Sequence, residues 1–186
     1  MPRLSWSDTA LPGVRVVQRA PLVDARGSFV RLFCAEELAE AGWRQPVAQI
    51  NLSRCARAGT VRGLHWQRAP HAEMKLVSCV RGAVLDVAVD LRPDSPTYRH
   101  WHAQPLSAAN GAALLIPEGC AHGFQALEDD AELLYCHSVA HAPAAECGLH
   151  PLDPELGIAW PLPVAQLSPR DAALPGLAAW LSGGAS

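Results

Sequence analysis

The sequence has no long hydrophobic run, no excess of basic residues and no closely spaced cysteine pair, and each absence removes a class of protein. No segment approaches the roughly 20 apolar residues of a membrane-spanning helix, so we expect no membrane partner. The formal net charge is −3 at pH 7. Nucleic acid is therefore not expected as a partner, because nucleic-acid-binding surfaces are basic. A local basic pocket for one small anion stays compatible with this charge.

The six cysteines are scattered and form no Cys-x-x-Cys motif. Free cysteine is among the most buried residue types, so we expect buried thiols rather than a disulfide framework or a zinc site. The N-terminal segment shows no apolar run after its basic residue, as a signal peptide would require. The sequence therefore predicts a cytoplasmic protein.

Many short apolar runs are separated by turn-forming residues. Sixteen prolines and fourteen glycines punctuate the 186 residues, a pattern typical of an all-β sandwich or barrel. The prediction is one domain over residues 1–186, an all-β jelly roll or related β-sandwich with short peripheral helices and a short C-terminal helical tail. The predicted strands cover residues 14–17, 29–33, 47–52, 59–65, 100–106, 113–116 and 132–138, and the predicted helices cover residues 35–41 and 174–181.

The clearest local signal lies at residues 75–90. Two apolar segments, 75–80 and 83–90, flank Arg81-Gly82, and glycine supplies the positive φ that tight hairpin turns need. The pattern predicts a β-hairpin.

Two histidines stand beside glycine and charged residues in apolar segments: His65 in VRGLHWQ (61–67) and His122 in IPEGCAHGF (116–124). Imidazole has an unperturbed pKa of about 6.5 and can move a proton near neutral pH. Strict strand alternation puts Arg62 and His65 on opposite faces, but a bulge at Gly63 would turn both toward one pocket. The alternative is a hydrogen-bonded interior histidine and a surface arginine.

Three further side chains have both a chemical and a structural interpretation. Lys75 begins an apolar strand, where it could meet a developing negative charge or lie solvated at the strand end. Tyr135 could donate a proton or close the core with its hydroxyl at the rim. His122 lies in a predicted turn bounded by proline and glycine, where it could contact a ligand or stabilise the turn.

His100 and His102 share one face of a predicted strand, so both imidazoles could meet one metal ion. The residues after His102 include no acidic ligand, and metal sites are recognised by complete ligand sets. We therefore predict no metal.

An ordered set of motifs closely resembles the dTDP-4-dehydrorhamnose 3,5-epimerase family, from about residue 24 to residue 171. Besides VRGLHWQ and the 116–124 segment, the motifs are DARGSF (24–29), QINLS (49–53), KLV (75–77), RG (81–82), DVAVDLR (86–92), DPELGIAWP (153–161) and LSPRD (167–171). The resemblance implies a cupin-type jelly roll without metal or cofactor, usually a homodimer. Its substrate would be a nucleotide sugar, a dTDP-4-keto-6-deoxyhexose.

The resemblance also implies roles for individual residues. His65 would be the general base, Asp171 would orient and charge it, Lys75 would steady the enolate, and Tyr135 would be the acid on the opposite ring face. Arg26 and Arg62 would hold the diphosphate. The other predicted substrate-binding residues are Gln49, Asn51, His122, His141, Ser168 and Arg170.

Some positions depart from the family pattern. His141 replaces a tyrosine expected near the sugar, Arg31 replaces a pocket glutamate, and Cys136-His137 replaces a Lys-x pair. The leading hypothesis is epimerisation at both C3 and C5. The alternatives are a single-carbon epimerase of a related nucleotide sugar, for which His141 and Arg31 are the suspected causes, and a cupin that binds a nucleotide sugar without turning it over.

Overall fold

The computed structural model describes residues 3–183, which form thirteen strands, three short α-helices and one 3₁₀ helix. In chain order these elements are β1 (Leu4–Asp8), β2 (Arg15–Arg19), β3 (Leu22–Asp24), β4 (Gly27–Phe29), α1 (Ala35–Glu40), β5 (Gln49–Cys55), β6 (Val61–Gln67), β7 (Lys75–Arg81), β8 (Ala83–Asp90), β9 (Trp101–Ser107), β10 (Ala112–Ile116), β11 (Cys120–Ala126), β12 (Ala131–His137), the 3₁₀ helix (Pro143–Ala145), β13 (Glu146–Gly148), α2 (Pro169–Ala172) and α3 (Leu177–Ser182).

Two large antiparallel sheets make up the body of the fold, and β3 and β4 form a separate two-stranded hairpin. The first sheet has the strand order β1-β2-β10-β7-β12-β5, and the second has the order β13-β6-β11-β8-β9. Apolar side chains from both inner faces, among them Val77 and Leu133 of the first sheet and Val84 and Phe124 of the second, form one buried cluster. The predicted all-β class and jelly-roll architecture are confirmed.

Two further apolar clusters cover the outer faces of the sheets. Leu38 of α1 and Trp43 pack on Leu76 and Leu115 of the first sheet. On the second sheet, Trp66 meets Trp180 of α3 edge to face, with ring centroids 5.4 Å apart. None of the helices within residues 3–183 has the length and apolarity needed to span a membrane.

The predicted hairpin at residues 75–90 is wrong in its pairing. β7 and β8 have nearly the predicted bounds and Gly82 has a φ of +70°, but β7 pairs with β10 and β12, whereas β8 pairs with β11 and β9. Both strands are apolar along most of their length and each is central in its own sheet. A turn signal shows where the chain reverses, not which sheet it enters next.

His122 lies inside β11 and not in a turn, which corrects the sequence prediction for this segment. Every residue of β11 is buried, and a Cβ at Gly123 would lie 2.7 Å from the carbonyl oxygen of Arg62. Gly123 is therefore explained by the close approach of β6 rather than by a chain reversal. The prediction for residues 29–33 is also wrong, because β4 ends at Phe29.

Candidate active site

A cavity of about 720 Å³ opens between the two sheets, within the usual size range of small-molecule sites. Because side chains alternate along a strand, every second residue of the central strands faces this space. The first sheet contributes Gln49, Asn51, Ser53, Lys75, Tyr135 and His137, the second contributes Arg62, His65, Gln67, His122 and Phe124, and later segments contribute His141, Glu146, Ser168, Arg170 and Asp171.

The bulge predicted at Gly63 is present. His65 pairs with His122 and Arg62 pairs with Phe124, so two residues of β6 face Gly123 alone. The extra residue turns Arg62 and His65 into the same cavity, while Leu64 packs in the outer cluster of the second sheet. The glycine is required sterically, because a Cβ at Gly63 would lie 2.6 Å from the Cα of Gly123.

His65 is held by a buried carboxylate. Its Nε2 lies 2.8 Å from Oδ1 of Asp171, and the amide of Gly63 donates to Oδ2 at 3.3 Å. Ser168 caps α2 by accepting the Asp171 amide at 3.0 Å, which fixes the carboxylate at the start of that helix. Burial alone would raise the pKa of Asp171, but the hydrogen bond and charge of His65 and the Gly63 amide lower it overall. The carboxylate is thus ionised at neutral pH, and Nδ1 is the basic nitrogen of His65.

Lys75 is the only lysine of the sequence and is buried at the cavity wall. Its Nζ donates to the carbonyl oxygen of His65 at 3.0 Å and pairs with Glu73 at 2.9 Å. The other oxygen of Glu73 lies 3.3 Å from Nδ1 of His137. The ammonium group is therefore fixed beside His65, and one carboxylate is shared between a lysine and a histidine.

Tyr135 faces His65 from the opposite sheet. Its hydroxyl is 3.0 Å from Oγ of Ser53, and its ring meets His122 edge to face at 5.9 Å. Burial raises the pKa of the Tyr135 phenol above its ordinary value. The hydroxyl is therefore protonated at neutral pH.

His122 has its own carboxylate partner, with 2.7 Å between Nε2 and Oδ1 of Asp86. Asp86 is fully buried, which raises the pKa of its carboxyl, although the charge and hydrogen bond of His122 oppose the shift. Among residues 3–183, Oδ2 of Asp86 is one of three buried side-chain atoms without a hydrogen-bond partner.

The mouth of the cavity is polar and basic. Arg62 is anchored to the carbonyl oxygen of Arg54 at 3.1 Å, and Gln49 contacts Asn51 and the amide of His141, each at 3.0 Å. Glu146 joins two further groups of the rim, with Nε2 of His141 at 3.0 Å and the guanidinium of Arg170 at 2.5 Å.

Eleven of the twelve residues predicted from the sequence line this cavity, and Arg26 is the exception. Arg26 lies at the turn of the separate β3–β4 hairpin, where it pairs with Asp24 at 2.7 Å and its side chain is 90% exposed. Arg31 also lies outside the cavity lining and forms an ion pair with Glu37. The single chain therefore gathers the predicted catalytic set but not the whole predicted binding set.

Several lining or partner residues were not predicted from the sequence, among them Ser53, Glu73, Asp86, His137 and Glu146. Two of them had a usable signal. Asp86 is an acidic residue in the middle of an apolar strand, and Glu73 precedes Lys75 by two residues, which is the spacing for one strand face.

The family model for dTDP-4-dehydrorhamnose 3,5-epimerase matches residues 8–179 of the chain. The dTDP-4-dehydrorhamnose 3-epimerase of Streptomyces niveus is 45% identical over 162 residues, covering 87% of this chain and 78% of the relative.

Two crystal structures are also closely similar. NovW, a 4-keto-6-deoxy sugar epimerase from the novobiocin biosynthetic gene cluster of Streptomyces spheroides, superposes with a TM-score of 0.93 at 41% identity, covering 98% of this chain and 92% of NovW. The dTDP-6-deoxy-D-glucose-3,5-epimerase of Legionella pneumophila, in complex with dTDP-4-keto-L-rhamnose, gives a TM-score of 0.89 at 38% identity, covering 94% of this chain and 93% of the other.

Proposed function

The chain belongs to the dTDP-4-dehydrorhamnose 3,5-epimerase family, and we propose that it inverts C3 and C5 of a dTDP-4-keto-6-deoxyhexose. The observation that carries this proposal is the placement of the His65–Asp171 pair and the Tyr135 hydroxyl on opposing walls of one cavity. Inversion of a carbon needs a base on one face of the sugar ring and a proton donor on the other.

The C4 ketone makes this chemistry accessible without a cofactor. It acidifies the hydrogens at C3 and C5, because the electron pair left by proton removal delocalises onto the carbonyl oxygen. His65 would take the proton on Nδ1, while Asp171 stabilises the imidazolium that forms. A positioned general base of this kind contributes about 10²–10⁴-fold in rate.

Lys75 supports the proposal electrostatically. Its ammonium group is fixed next to His65, where it would lower the energy of the enolate oxygen. Tyr135 would then deliver its proton from the first sheet to the opposite face of the carbon. Protonation there inverts the configuration.

The basic rim suits a nucleoside diphosphate. We propose that Arg62 and Arg170 pair with the diphosphate, since guanidinium groups bind phosphate oxygens in a bidentate way. Gln49, Asn51, His122, His141 and Ser168 would line the sugar and nucleotide. The cytoplasmic location expected from the sequence remains a prediction.

A homodimer is proposed as well, with Arg26 serving the partner's cavity. The β3–β4 hairpin exposes Val23 and Phe29 by 74% and 71%, and the edge strand β5 exposes Ile50 and Leu52 by 61% each. A second copy would cover these apolar surfaces. It would also remove the unpaired sheet edge, which soluble proteins usually protect.

Sedimentation or light scattering tests the dimer. We expect a particle of twice 19.9 kDa, reduced to a monomer by Phe29→Glu, whereas Val164→Glu, at an exposed valine outside β3, β4 and β5, should leave the mass unchanged. A monomeric wild-type chain would contradict the proposal.

In the dimer, Arg26→Ala should raise KM several-fold with little change in kcat, because it removes a binding contact only.

Proton NMR of dTDP-4-keto-6-deoxyglucose in D₂O tests the reaction itself. We expect deuterium at both C3 and C5 and inversion of both. In Tyr135→Phe, inversion of at least one of the two carbons should fall by about 10²-fold, while His65 still exchanges protons. Exchange at a single carbon in the wild-type chain would instead favour the single-carbon reaction that the name of the Streptomyces niveus relative describes. No exchange would favour a different nucleotide sugar or a protein that only binds one.

A further inference from the structure

The proposed reaction leaves one imidazole–carboxylate pair of the cavity unused. His137 lines the cavity with its side chain 13% exposed, and its Nδ1 lies 3.3 Å from Oε2 of Glu73. His65, His122 and His141 have carboxylate partners of their own, Asp171, Asp86 and Glu146. His137 is thus a fourth paired imidazole in the same space, and the proposed reaction gives it no role.

His137 lies on the wall that carries Tyr135. The two residues are separated by one position on β12, so their side chains leave the same face, and their rings stack at 6.0 Å with an interplanar angle of 22°. His137 is directly opposite Lys75 on β7 and Gln49 on β5. It therefore faces His65 across the cavity, as Tyr135 does.

Glu73 holds His137 in a defined orientation. The Glu73 side chain is 7% exposed, and its carboxylate is also bound by Nζ of Lys75 at 2.9 Å and by Nε2 of Gln67 at 3.0 Å. Burial would raise the pKa of Glu73, but the hydrogen bonds and charges of His137 and Lys75 lower it overall. The ionised carboxylate at Nδ1 therefore fixes the orientation of the His137 ring. Its other nitrogen, Nε2, lies 3.4 Å from Nδ2 of Asn51, on the lining of the cavity, and accepts from that amide while His137 is neutral.

Two carbons must be protonated on the face away from His65, and C3 and C5 lie on either side of the C4 carbonyl. A single phenol would have to reach both positions. A phenol is also the weaker donor, since phenols titrate near pH 10 and imidazoles near 6.5 in model peptides. The cavity wall offers two proton donors for the two carbons.

We propose that His137, oriented by Glu73, is a second proton donor of the epimerase, serving one of the two carbons while Tyr135 serves the other. In this step the Nε2–H bond of the imidazolium breaks, and its proton joins the electron pair of the enolate carbon to form the new C–H bond. Neutral His137 and the C4 ketone are left, and His137 regains a proton from water. This inference rests on the proposed double epimerisation.

The experiment is NMR in D₂O with the full-length chain, resolving configuration and deuterium content at C3 and C5 separately. In His137→Ala we expect inversion at one carbon to fall by about 10²-fold, with the other carbon within a few-fold of wild type. Added imidazole should restore inversion at the affected carbon. Tyr135→Phe should show the opposite carbon preference.

His141→Asn is the matched control, because it removes a histidine from the cavity rim and not from the Tyr135 wall. In this variant the rate of inversion should fall equally at C3 and C5, because only KM rises. An equal loss at both carbons in His137→Ala, with no rescue by imidazole, would show a structural role and overturn the inference, as would unchanged inversion at both. Wild-type exchange at one carbon or none would overturn the double epimerisation itself, so the two failures are distinguishable.

Discussion

Replacing His65 with asparagine is expected to abolish proton exchange at both C3 and C5. Asparagine keeps the approximate size and a hydrogen-bond donor for Asp171, but it has no basic nitrogen. The rate should fall by about 10²–10⁴-fold, the usual contribution of a positioned base. Deuterium uptake from D₂O, followed by NMR, measures abstraction directly and does not depend on later reprotonation.

Asp171→Asn distinguishes the base from its partner. The carboxylate does not touch the reacting carbons. Its loss should therefore lower kcat, because His65 loses the group that orients it, while KM changes little. Substantial exchange at either carbon in His65→Asn would contradict the assignment of the base. It would direct attention to His122, which lies opposite His65 in the cross-strand pairing.

Gly63→Ala is expected to have the largest effect on stability. The added Cβ would lie 2.6 Å from the Cα of Gly123 and 2.8 Å from the carbonyl oxygen of His122, and the φ of +116° disfavours any side chain. Strained backbone alone costs about 1–3 kcal/mol, and the overlap with backbone atoms adds to it. We expect the free energy of unfolding to fall by about 3 kcal/mol or more, and the activity to be lost because Arg62 and His65 no longer share the cavity.

Urea denaturation measures this loss, and Gly42→Ala is the matched control. Gly42 has a φ of +102°, but a Cβ there would meet only the end of the Arg15 side chain, at 3.5 Å. The control should therefore show the backbone penalty without the overlap. Equal losses in the two variants would mean that the close approach of β6 and β11 has no stabilising role.

The sequence predicted local features of the site well. The glycine between Arg62 and His65 indicated a bulge, because alternation alone would have separated two residues that a pocket needs together. Apart from β1, which was not predicted, the strands of the first sheet were placed within a few residues, because their apolar runs end at glycine, proline or charged residues. These features depend on neighbours in the chain, which a sequence pattern records directly.

Features that depend on distant pairing were not predicted. Nothing at Arg81-Gly82 shows that β7 and β8 enter different sheets. The contact between Glu73 and His137 joins residues that are 64 positions apart in the sequence and are brought together by the β7–β12 ladder. No local pattern at either residue indicates this contact. The prediction of a turn at His122 was wrong for a related reason. Gly123 is required by the close approach of β6, a strand that is distant in sequence.

The strand order of the two sheets also affects the rate at which the protein folds. In the first sheet β10 lies between β2 and β7, and β12 lies between β7 and β5, so most ladders join segments far apart in the sequence. Chains with mainly non-local contacts lose more loop entropy before those contacts form, and they fold in milliseconds to seconds rather than microseconds. Because the cavity draws on both sheets and on the C-terminal α2, it is assembled only when nearly the whole chain has folded.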